Sequence, residues 1–368
     1  MLFKTSFSSL VAIIISFATF YSPTELSAQQ NVTVAGQDVQ FRLGATIQPR
    51  FTYYTSDLND DTIEQIGFGL RRFRLRNYIS IGKQWAVFSQ LEGSGLNAQL
   101  LDMRVDYKLN PEFTIRGGRF AGAQPRSMAF TLHSDIDAID RPAISEYWAK
   151  NTIGADARDY GLEVMYHPDF FEFRVFLHNG DNRNNIRPGA SDEIPTSPRT
   201  KMAVSSSFRY FPLDDTHTEI GIFGGLNKNS GHYEASDGYY TAAFHVYRGA
   251  FPGHYPFRIK IDAIMIRHLE VESHPERFDH IFTGASLFAG YLISKETEAF
   301  VKAETYRVDR HVIKQDVNLF SGGVTYSFSA AQDKNFNITK LTAMYNIKDD
   351  SLPDRIARFL QLQLQILL

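Results

Sequence analysis

Residues 355–368 read RIARFLQLQLQILL. Leucine or isoleucine occupies every even-numbered position from 360 to 368, and glutamine occupies positions 361, 363 and 365. Because successive side chains of a strand point to opposite faces, this stretch predicts a strand with one apolar and one polar face. Strands of soluble proteins are commonly about 5–6 residues long. A longer run of this kind fits a tilted strand that crosses a bilayer in about 9–11 residues.

The same alternation recurs along most of the chain. From 41 to 53, for example, Phe41, Leu43 and Ile47 share one face and Arg42, Gln48 and Arg50 share the other. Sixteen strands are predicted, near 40–54, 68–81, 84–92, 99–108, 112–120, 160–167, 171–179, 200–210, 219–227, 239–248, 256–267, 281–291, 298–308, 316–328, 336–346 and 355–368. An even number is what a transmembrane barrel with both termini in the periplasm requires. We therefore predict an all-β fold, a transmembrane antiparallel β-barrel of about 16 strands.

The links between predicted strands fall into two classes. Four are short and turn-like, at 82–83, 110–112, 167–169 and 294–297. Three others are long and polar, at 55–67, 121–159 and 180–199. Short periplasmic turns and longer outer loops are typical of outer-membrane barrels. Counted along the chain with the short link at 93–98, the segment 121–159 is the third outer loop, and it is the longest. We predict that it folds inward and narrows the lumen.

Composition supports a membrane barrel over other classes. Phe, Tyr and Trp make up 14% of the residues while the hydrophobic fraction is only 43%, and the mature region has no apolar run of about 20 residues. Cysteine is absent, which excludes disulfides, and the net charge of −3 argues against nucleic-acid binding. Aromatic residues near strand ends are predicted to form interface girdles: Tyr53, Tyr107, Phe120, Tyr166 and Phe208.

The N-terminus has the layout of a secretory signal. Lys4 precedes a short apolar core, LVAIIISFATF at 10–20, and Leu26-Ser27-Ala28 precedes Gln29. This layout predicts a signal peptide at 1–28, cleaved after Ala28, and a barrel domain at 29–368. The alternative, a membrane anchor helix, needs a longer apolar run. Secretion and a barrel together predict the outer membrane of a Gram-negative bacterium.

Four segments occur in a recognisable order: GLRRFRLR at 69–76, LLDMRVDYK at 100–108, TIRGGRF at 114–120 and ARDYGL at 157–162. With Asn179-Gly180, they resemble the phosphate-selective porin O and P family over about 68–210. The resemblance implies a sixteen-stranded, trimeric, passive channel. It also implies that lumenal Arg and Lys side chains select phosphate.

Three arginines in one predicted strand give the clearest functional signal. Arg72, Arg74 and Arg76 share one face, and Phe73 and Leu75 share the other. An arginine that faces lipid at mid-depth costs about 2–4 kcal/mol, so this face should line the lumen. Nine basic residues are predicted to line the pore and bind anions: Arg72, Arg74, Arg76, Arg104, Arg116, Arg126, Arg141, Arg258 and Lys260. The planar fork of arginine suits phosphate or carboxylate.

Two readings of this basic wall stay open. It could attract anions, or its members could pair with Glu92, Asp102 and Asp106 and brace the wall. Three loop acids could face it and create a transverse field that favours small polar solutes: Asp135, Asp137 and Asp140. A separate acidic cluster contains Asp57, Asp60 and Asp61. It is expected to be a solvated outer loop, with calcium or lipopolysaccharide-bridging cations as the alternative.

The predicted function is passive diffusion of small anions or polar solutes, with no catalytic residue, metal or cofactor. Expected partners are outer-membrane lipid, lipopolysaccharide, the solute and two further copies of the chain. The alternatives are a barrel hydrolase and a structural or adhesive barrel that does not conduct. A hydrolase needs a Ser–His or Asp–His constellation; the sequence has no G-x-S-x-G element, and its histidines, such as His133, His167, His178 and His245, are scattered.

Overall fold

The computed structural model describes residues 29–34, 37–58, 61–95, 97–129, 132–153, 156–180, 202–212, 218–228, 238–253, 255–269, 280–310, 313–352 and 354–368. The predicted signal peptide at 1–28, Asp60 and positions 181–199 of the predicted outer loop lie outside the described residues.

The described chain is almost entirely β-structure. The strands, in chain order, are β1 Gln29–Val34, β2 Gln37–Leu58, β3 Asp61–Ile81, β4 Trp85–Glu92, β5 Gln99–Lys108, β6 Phe113–Phe120, β7 Asp159–Tyr166, β8 Phe171–His178, β9 Ala203–Tyr210, β10 Glu219–Asn227, β11 Tyr239–Arg248, β12 Phe257–His268, β13 His280–Leu292, β14 Thr297–Arg310, β15 Ile313–Ser327, β16 Thr339–Asp350 and β17 Arg355–Leu367. Between β6 and β7 lie two short helices, α1 Arg126–Ala129 and α2 Ala143–Asn151, and a 3-10 turn, Ala330–Gln332, follows β15. No helix among the described residues is long and apolar enough to cross a membrane.

Strands β2 to β17 form a closed antiparallel ring. Each pairs with its neighbours in sequence, and β17 returns to β2, where Leu362 lies opposite Phe51 and Ile366 lies opposite Ile47. The backbone of Leu368 exchanges two hydrogen bonds with Ala45, of 2.9 and 3.0 Å. The predicted 16-strand barrel is therefore confirmed, and closure pairs both edges of the described sheet.

Strand β1 is an addition that the alternation did not predict. It forms a hairpin with the start of β2, in which Gln29 lies opposite Arg42 and Val34 lies opposite Gln37. The C-terminal strand pairs with β2 from Ala45 onward and leaves the start of β2 to β1. The N-terminal strand β1 therefore pairs with the start of β2, which projects beyond the end of the ring.

The apolar faces of the strands point outward. Large apolar side chains such as Phe68, Val301 and Phe320 are exposed on the outer surface, while Gln48 and Gln365 are buried inside. This is the reverse of a soluble β-sandwich, whose inner faces are apolar. Because such an exterior is unfavourable in water, the outer surface is suited to lipid.

The outer link predicted at 55–67 is instead a β-hairpin. Strand β2 continues to Leu58 and β3 begins at Asp61, so the strands project beyond the neighbouring β4. Asp57 accepts a hydrogen bond from Thr62 at 3.3 Å and forms an ion pair with Arg358 of β17 at 2.7 Å. The prediction of a loop is wrong because polar residues do not interrupt these strands: cross-strand polar pairs hold the hairpin.

Phe120 was wrongly predicted to lie in an aromatic girdle. It shares a face with Arg116, since both positions are even, and that face is the inner one. Its ring is fully buried, with its centroid 5.0 Å from that of Phe176 and 5.5 Å from the Arg116 guanidinium. Tyr166 and Phe208 do lie on the outer face, where both are exposed.

Replacing Val301 by arginine should destabilise the barrel by about 2–4 kcal/mol, because the side chain lies on the outer face near the middle of β14 and is 61% exposed there. Urea unfolding of protein folded into lipid vesicles measures this cost. Val301→Leu is the matched control and should leave stability nearly unchanged. Equal stability of the arginine and leucine variants would mean that this face does not meet lipid.

Candidate pore and constriction loop

The third outer loop, at 121–159, folds into the barrel, as predicted, and forms the constriction loop. Its helix α2 presses Ile144, Trp148 and Ala149 against the inner faces of strands β10 to β14. The indole nitrogen of Trp148 donates to Oγ1 of Thr241 at 3.0 Å, and its ring meets Phe223 edge to face at 5.7 Å. The strand residues of this buried apolar cluster are Phe223, Tyr239, Ile264, Ile266, Phe282 and Val308. This contact fills one side of the lumen.

The tip of the loop is fastened to the periplasmic half of the wall. One oxygen of Asp137 lies 2.6 Å from Nη1 of Arg258, and the other lies 2.7 Å from Nζ of Lys260. Arg258 is fully buried and also pairs with Glu298 at 2.6 Å. Lys340 Nζ donates to the backbone oxygens of loop residues 134 and 136, at 3.2 and 3.1 Å. Arg258 and Lys260 thus hold the loop and do not face open lumen.

Of the three loop acids, Asp140 alone faces the basic wall. It lies 2.8 Å from Nη2 of Arg50 and 3.1 Å from Nε of Arg71. Burial would raise the pKa of Asp140, but the charge and hydrogen bonds of Arg50 and the charge of Arg71 lower it below its usual range. Asp135 accepts a hydrogen bond from Asn337 at 3.0 Å, and Asp137 binds β12. The predicted acidic face is therefore divided among three parts of the wall.

The arginines of β3 point inward, as predicted. Arg74 pairs with Glu92 at 2.6 Å. Arg72 donates to Oε1 of Gln48 at 2.9 Å, and Arg76 donates to Oγ1 of Thr46 at 2.9 Å. Among the described residues, no carboxylate forms an ion pair with Arg72 or Arg76. The Nε atoms of these two arginines are buried without a hydrogen-bond partner there.

Other predicted members of the wall are braced by acids. Nε of Arg116 lies 2.7 Å from Oδ1 of Asp106, and its Nη1 lies 3.3 Å from Oε2 of Glu163. Arg104 is 3.6 Å from the same Asp106. In the loop, Arg126 pairs with Glu219 of β10, and both are buried. The bracing reading therefore describes Arg74, Arg104, Arg116 and Arg126, whereas Arg72 and Arg76 have no acidic partner among the described residues.

Of the loop residues near the arginines of β3, Arg141 and Arg158 add positive charge and His133 does not. Burial and the charges of Arg74 and Arg158 lower the pKa of Arg141 to about 9. His133 lies 2.7 Å from Oγ1 of Thr46, and burial and nearby arginines hold its pKa well below the usual range. A neutral His133 adds no charge at pH 7. Seen together, the arginines outnumber the acids: Arg50, Arg71, Arg72, Arg74, Arg76, Arg141 and Arg158 surround Glu92, Asp102, Asp140 and Glu146.

Arg50, Arg71 and Arg158 are site residues that sequence reasoning did not single out. The pairing of β2 with β3 shifts register between Gln48 and Pro49, so that Arg71 is an extra residue opposite the pair. Such a bulge lets both Arg71 and Arg72 reach the inner side. Proline cannot donate to the strand ladder, and Pro49 is the sequence signal from which this irregularity could have been predicted.

Replacing Asp137 by asparagine should destabilise the inserted loop by about 3–5 kcal/mol, because Arg258 and Lys260 lose a shared counter-charge inside the barrel. Faster protease cleavage of the loop in folded protein measures the loss. Asp309→Asn is the control, because Asp309 pairs with Lys314 in an exposed position at 3.5 Å. Equal cleavage rates in the two variants would contradict an anchoring role for Asp137.

A Ser–His–Asp chain bears on the hydrolase alternative. Nδ1 of His178 lies 2.7 Å from Oδ2 of Asp159, and its Nε2 lies 3.4 Å from Oγ of Ser205. All three side chains are buried, and the Ser205 hydroxyl donates to the backbone oxygen of Ala123 at 3.0 Å. A nucleophile must reach its substrate. The described geometry ties Ser205 to the base of the loop instead.

No family model matches the sequence, and no curated protein matches it. Solved structures do match. An anion-selective porin from Comamonas acidovorans is 15% identical, with a TM-score of 0.61 over 90% of this chain and 100% of that chain. Salmonella typhi OmpF, in a complex with daunomycin, is 10% identical, with a TM-score of 0.60 over 92% and 100%.

A third similar structure is OmpTdeltaL8, a loop-deletion mutant of an outer membrane protein of Vibrio cholerae. It is 13% identical, with a TM-score of 0.58 over 90% of this chain and 99% of that chain. At these identities the likeness concerns the fold. The chain has the fold of outer-membrane barrels, and its apolar exterior is suited to that membrane.

Proposed function

We propose that the chain is an outer-membrane porin through which small anions diffuse passively. The observation that carries the proposal is the excess of arginine over acid along β2 and β3, together with the absence of an acidic partner for Arg72 and Arg76 among the described residues. Rings of like charge set ion preference in channels. Guanidinium groups without an acidic partner attract anions and repel cations. Arg76 keeps partial solvent exposure, whereas Arg72 is buried in the wall and acts through its charge.

The open side of the lumen lies along the periplasmic part of β2 to β5, because the loop covers the outer part of this wall at Thr46, Gln48 and Arg50. Loop contacts bury the inner faces of β10 to β14, whereas Arg42, Tyr78 and Arg104 keep solvent exposure on the opposite wall. A cavity of about 350 Å³ lies at the outer end of this side and includes Arg50 and Arg71 in its lining. An anion that enters there meets the arginines of β3 next.

Phosphate is the anion class that we propose, since a guanidinium fork can bond two of its oxygens at once. The resemblance of residues 68–210 to the phosphate-selective porin O and P family supports this choice. The similar structure described as an anion-selective porin supports the coarser anion preference. We also propose that residues 1–28 are a cleaved signal peptide and that the porin is a homotrimer in contact with lipid and lipopolysaccharide.

Planar-bilayer electrophysiology with purified protein tests the proposal. We expect stepwise single-channel currents in KCl, a reversal potential that favours chloride, and a concentration-dependent block of chloride current by phosphate. Protein that inserts without conducting would overturn the porin function. Conduction without anion preference would remove the selectivity alone. Ester or peptide hydrolysis that Ser205→Ala abolishes would instead support the hydrolase alternative.

A further inference from the structure

A row of lumenal side chains crosses four neighbouring strands below the arginines of β3. Arg42 of β2 lies opposite Tyr78 of β3, which lies opposite Phe88 of β4, which lies opposite Arg104 of β5. All four share the inner face with the basic wall, because each lies an even number of residues from a lumenal position of its own strand. The next residue in the row, Gly118, has no side chain, so the wall beside Arg104 is bare.

Aromatic rings and guanidinium groups are in contact along this row. The Tyr78 and Phe88 ring centroids are 4.8 Å apart, at an angle of 44°. The Arg42 guanidinium lies 4.5 Å from the Tyr78 ring centroid, and that of Arg104 lies 4.6 Å from the Phe88 centroid. Two rings thus lie between two cations, an arrangement in which flat side chains stack through attraction of cation to ring.

Charge in the row is unbalanced. The acid nearest to Arg104 is Asp106, at 3.6 Å, but Asp106 makes shorter contacts with Arg116, at 2.7 and 3.1 Å. Nε of Arg104 is buried without a hydrogen-bond partner among the described residues, and Arg42 has no ion pair among them. Arg104 therefore shares its acid with Arg116, and the two cations of the row can accept a further anionic group.

The position of Phe88 is unusual, because exposing an apolar ring to the water of the lumen is energetically unfavourable. Phe88 is only half-buried, and the loop contacts β2 and β3 nearer the outer end, at Thr46, Gln48 and Arg50 of β2 and at Arg71 of β3. The rings are therefore accessible from the lumen. A solute with a flat apolar part can use them.

We propose that this row, defined by Arg42, Tyr78, Phe88 and Arg104, binds aromatic monocarboxylates on their way through the pore. The solute carboxylate takes the Arg104 guanidinium, whose planar fork suits it, and the solute ring packs against Phe88 and Tyr78. The proposal rests on the porin function and adds a second solute class to the one that the arginines of β3 attract.

Binding to detergent-folded protein tests the site by equilibrium dialysis. The probes are benzoate and cyclohexanecarboxylate, which share a carboxylate and a six-membered ring but differ in aromaticity. Wild-type protein should bind benzoate more tightly. Phe88→Leu should weaken benzoate by about two- to tenfold and remove its advantage over cyclohexanecarboxylate. Arg104→Gln should weaken both probes by about tenfold or more.

Trp85→Leu is the matched control, because Trp85 lies on the same strand but on the outer face, 47% exposed, and it should bind as wild type does. Heat-dependent migration on electrophoresis shows which variants are folded, and Arg104→Gln tests the site even if Phe88→Leu does not fold. Equal binding of the two probes to wild type, or full benzoate affinity in Arg104→Gln, would overturn the proposal. Conductance in KCl tests the porin function separately. Benzoate binding without conductance would contradict the proposed porin function and would still support the proposed binding site.

Discussion

Replacing both Arg72 and Arg76 by glutamine should lower the chloride-over-potassium permeability ratio at least about fivefold. A unit charge roughly 8 Å from a passing ion contributes about 0.5–2 kcal/mol for effective dielectric constants between 80 and 20. Two such charges give about 1 kcal/mol or more, which is about a fivefold change. These two arginines are chosen because no described carboxylate pairs with them, whereas Arg74 is held by Glu92. The reversal potential in a KCl gradient measures the ratio.

Arg307→Gln is the control for that experiment. Arg307 carries the same charge, but its side chain lies on the outer surface, 62% exposed and paired with Asp316 at 2.6 Å. Its loss should leave the reversal potential nearly unchanged. A double variant with the wild-type reversal potential would show that the arginines of β3 only brace the wall.

Replacing Trp148 by alanine should release the constriction loop and enlarge the single-channel conductance. The substitution empties a site in which the indole is 2% exposed, and it removes the hydrogen bond to Thr241. A large-to-small change of this kind costs about 3–5 kcal/mol in a packed core. The loss is local to the loop, because the barrel ring has its own strand ladder, so the expected result is a wider and noisier channel.

Two readouts check this prediction. Conductance should rise, and trypsin should cut after the exposed Lys150 faster than in wild type. Trp148→Phe retains most of the packing and should show a much smaller effect. Trp85→Ala, which removes the only other tryptophan from the outer face, should change neither readout. Wild-type conductance together with wild-type cleavage in Trp148→Ala would contradict the anchoring role of α2.

The strands could be predicted closely because alternation is a local property. The stretch 99–108 was predicted with the bounds of β5, and the predicted 219–227 and 239–248 match β10 and β11. Each of these strands alternates polar, inward-facing residues with apolar, outward-facing residues, and this alternation is visible within a few consecutive residues. The direction of the arginines of β3 followed from the same parity.

The packing of the loop could not be predicted this way. Ile264 and Ile266 continue the inner face of β12 beyond Asp262, but they are apolar because α2 covers them. No local sequence feature predicts that α2 packs on these two isoleucines, since Trp148 is more than a hundred positions away in the sequence. The same holds for Asp137 and Asp140, whose partners on β12 and β2 are set by the path of the loop through the lumen.

The central claim is that apolar side chains of each strand meet lipid while the charged side chains enclose conducting water. Because the chain lacks cysteine, single cysteines can be placed at Arg104, on the inner face of β5, and at its outer neighbour Val105. We expect a charged, water-soluble thiol reagent to alter the ion current through Arg104→Cys channels and to leave Val105→Cys channels unaffected. An equal response at both positions, or a response at Val105 alone, would contradict the arrangement on which the porin proposal depends.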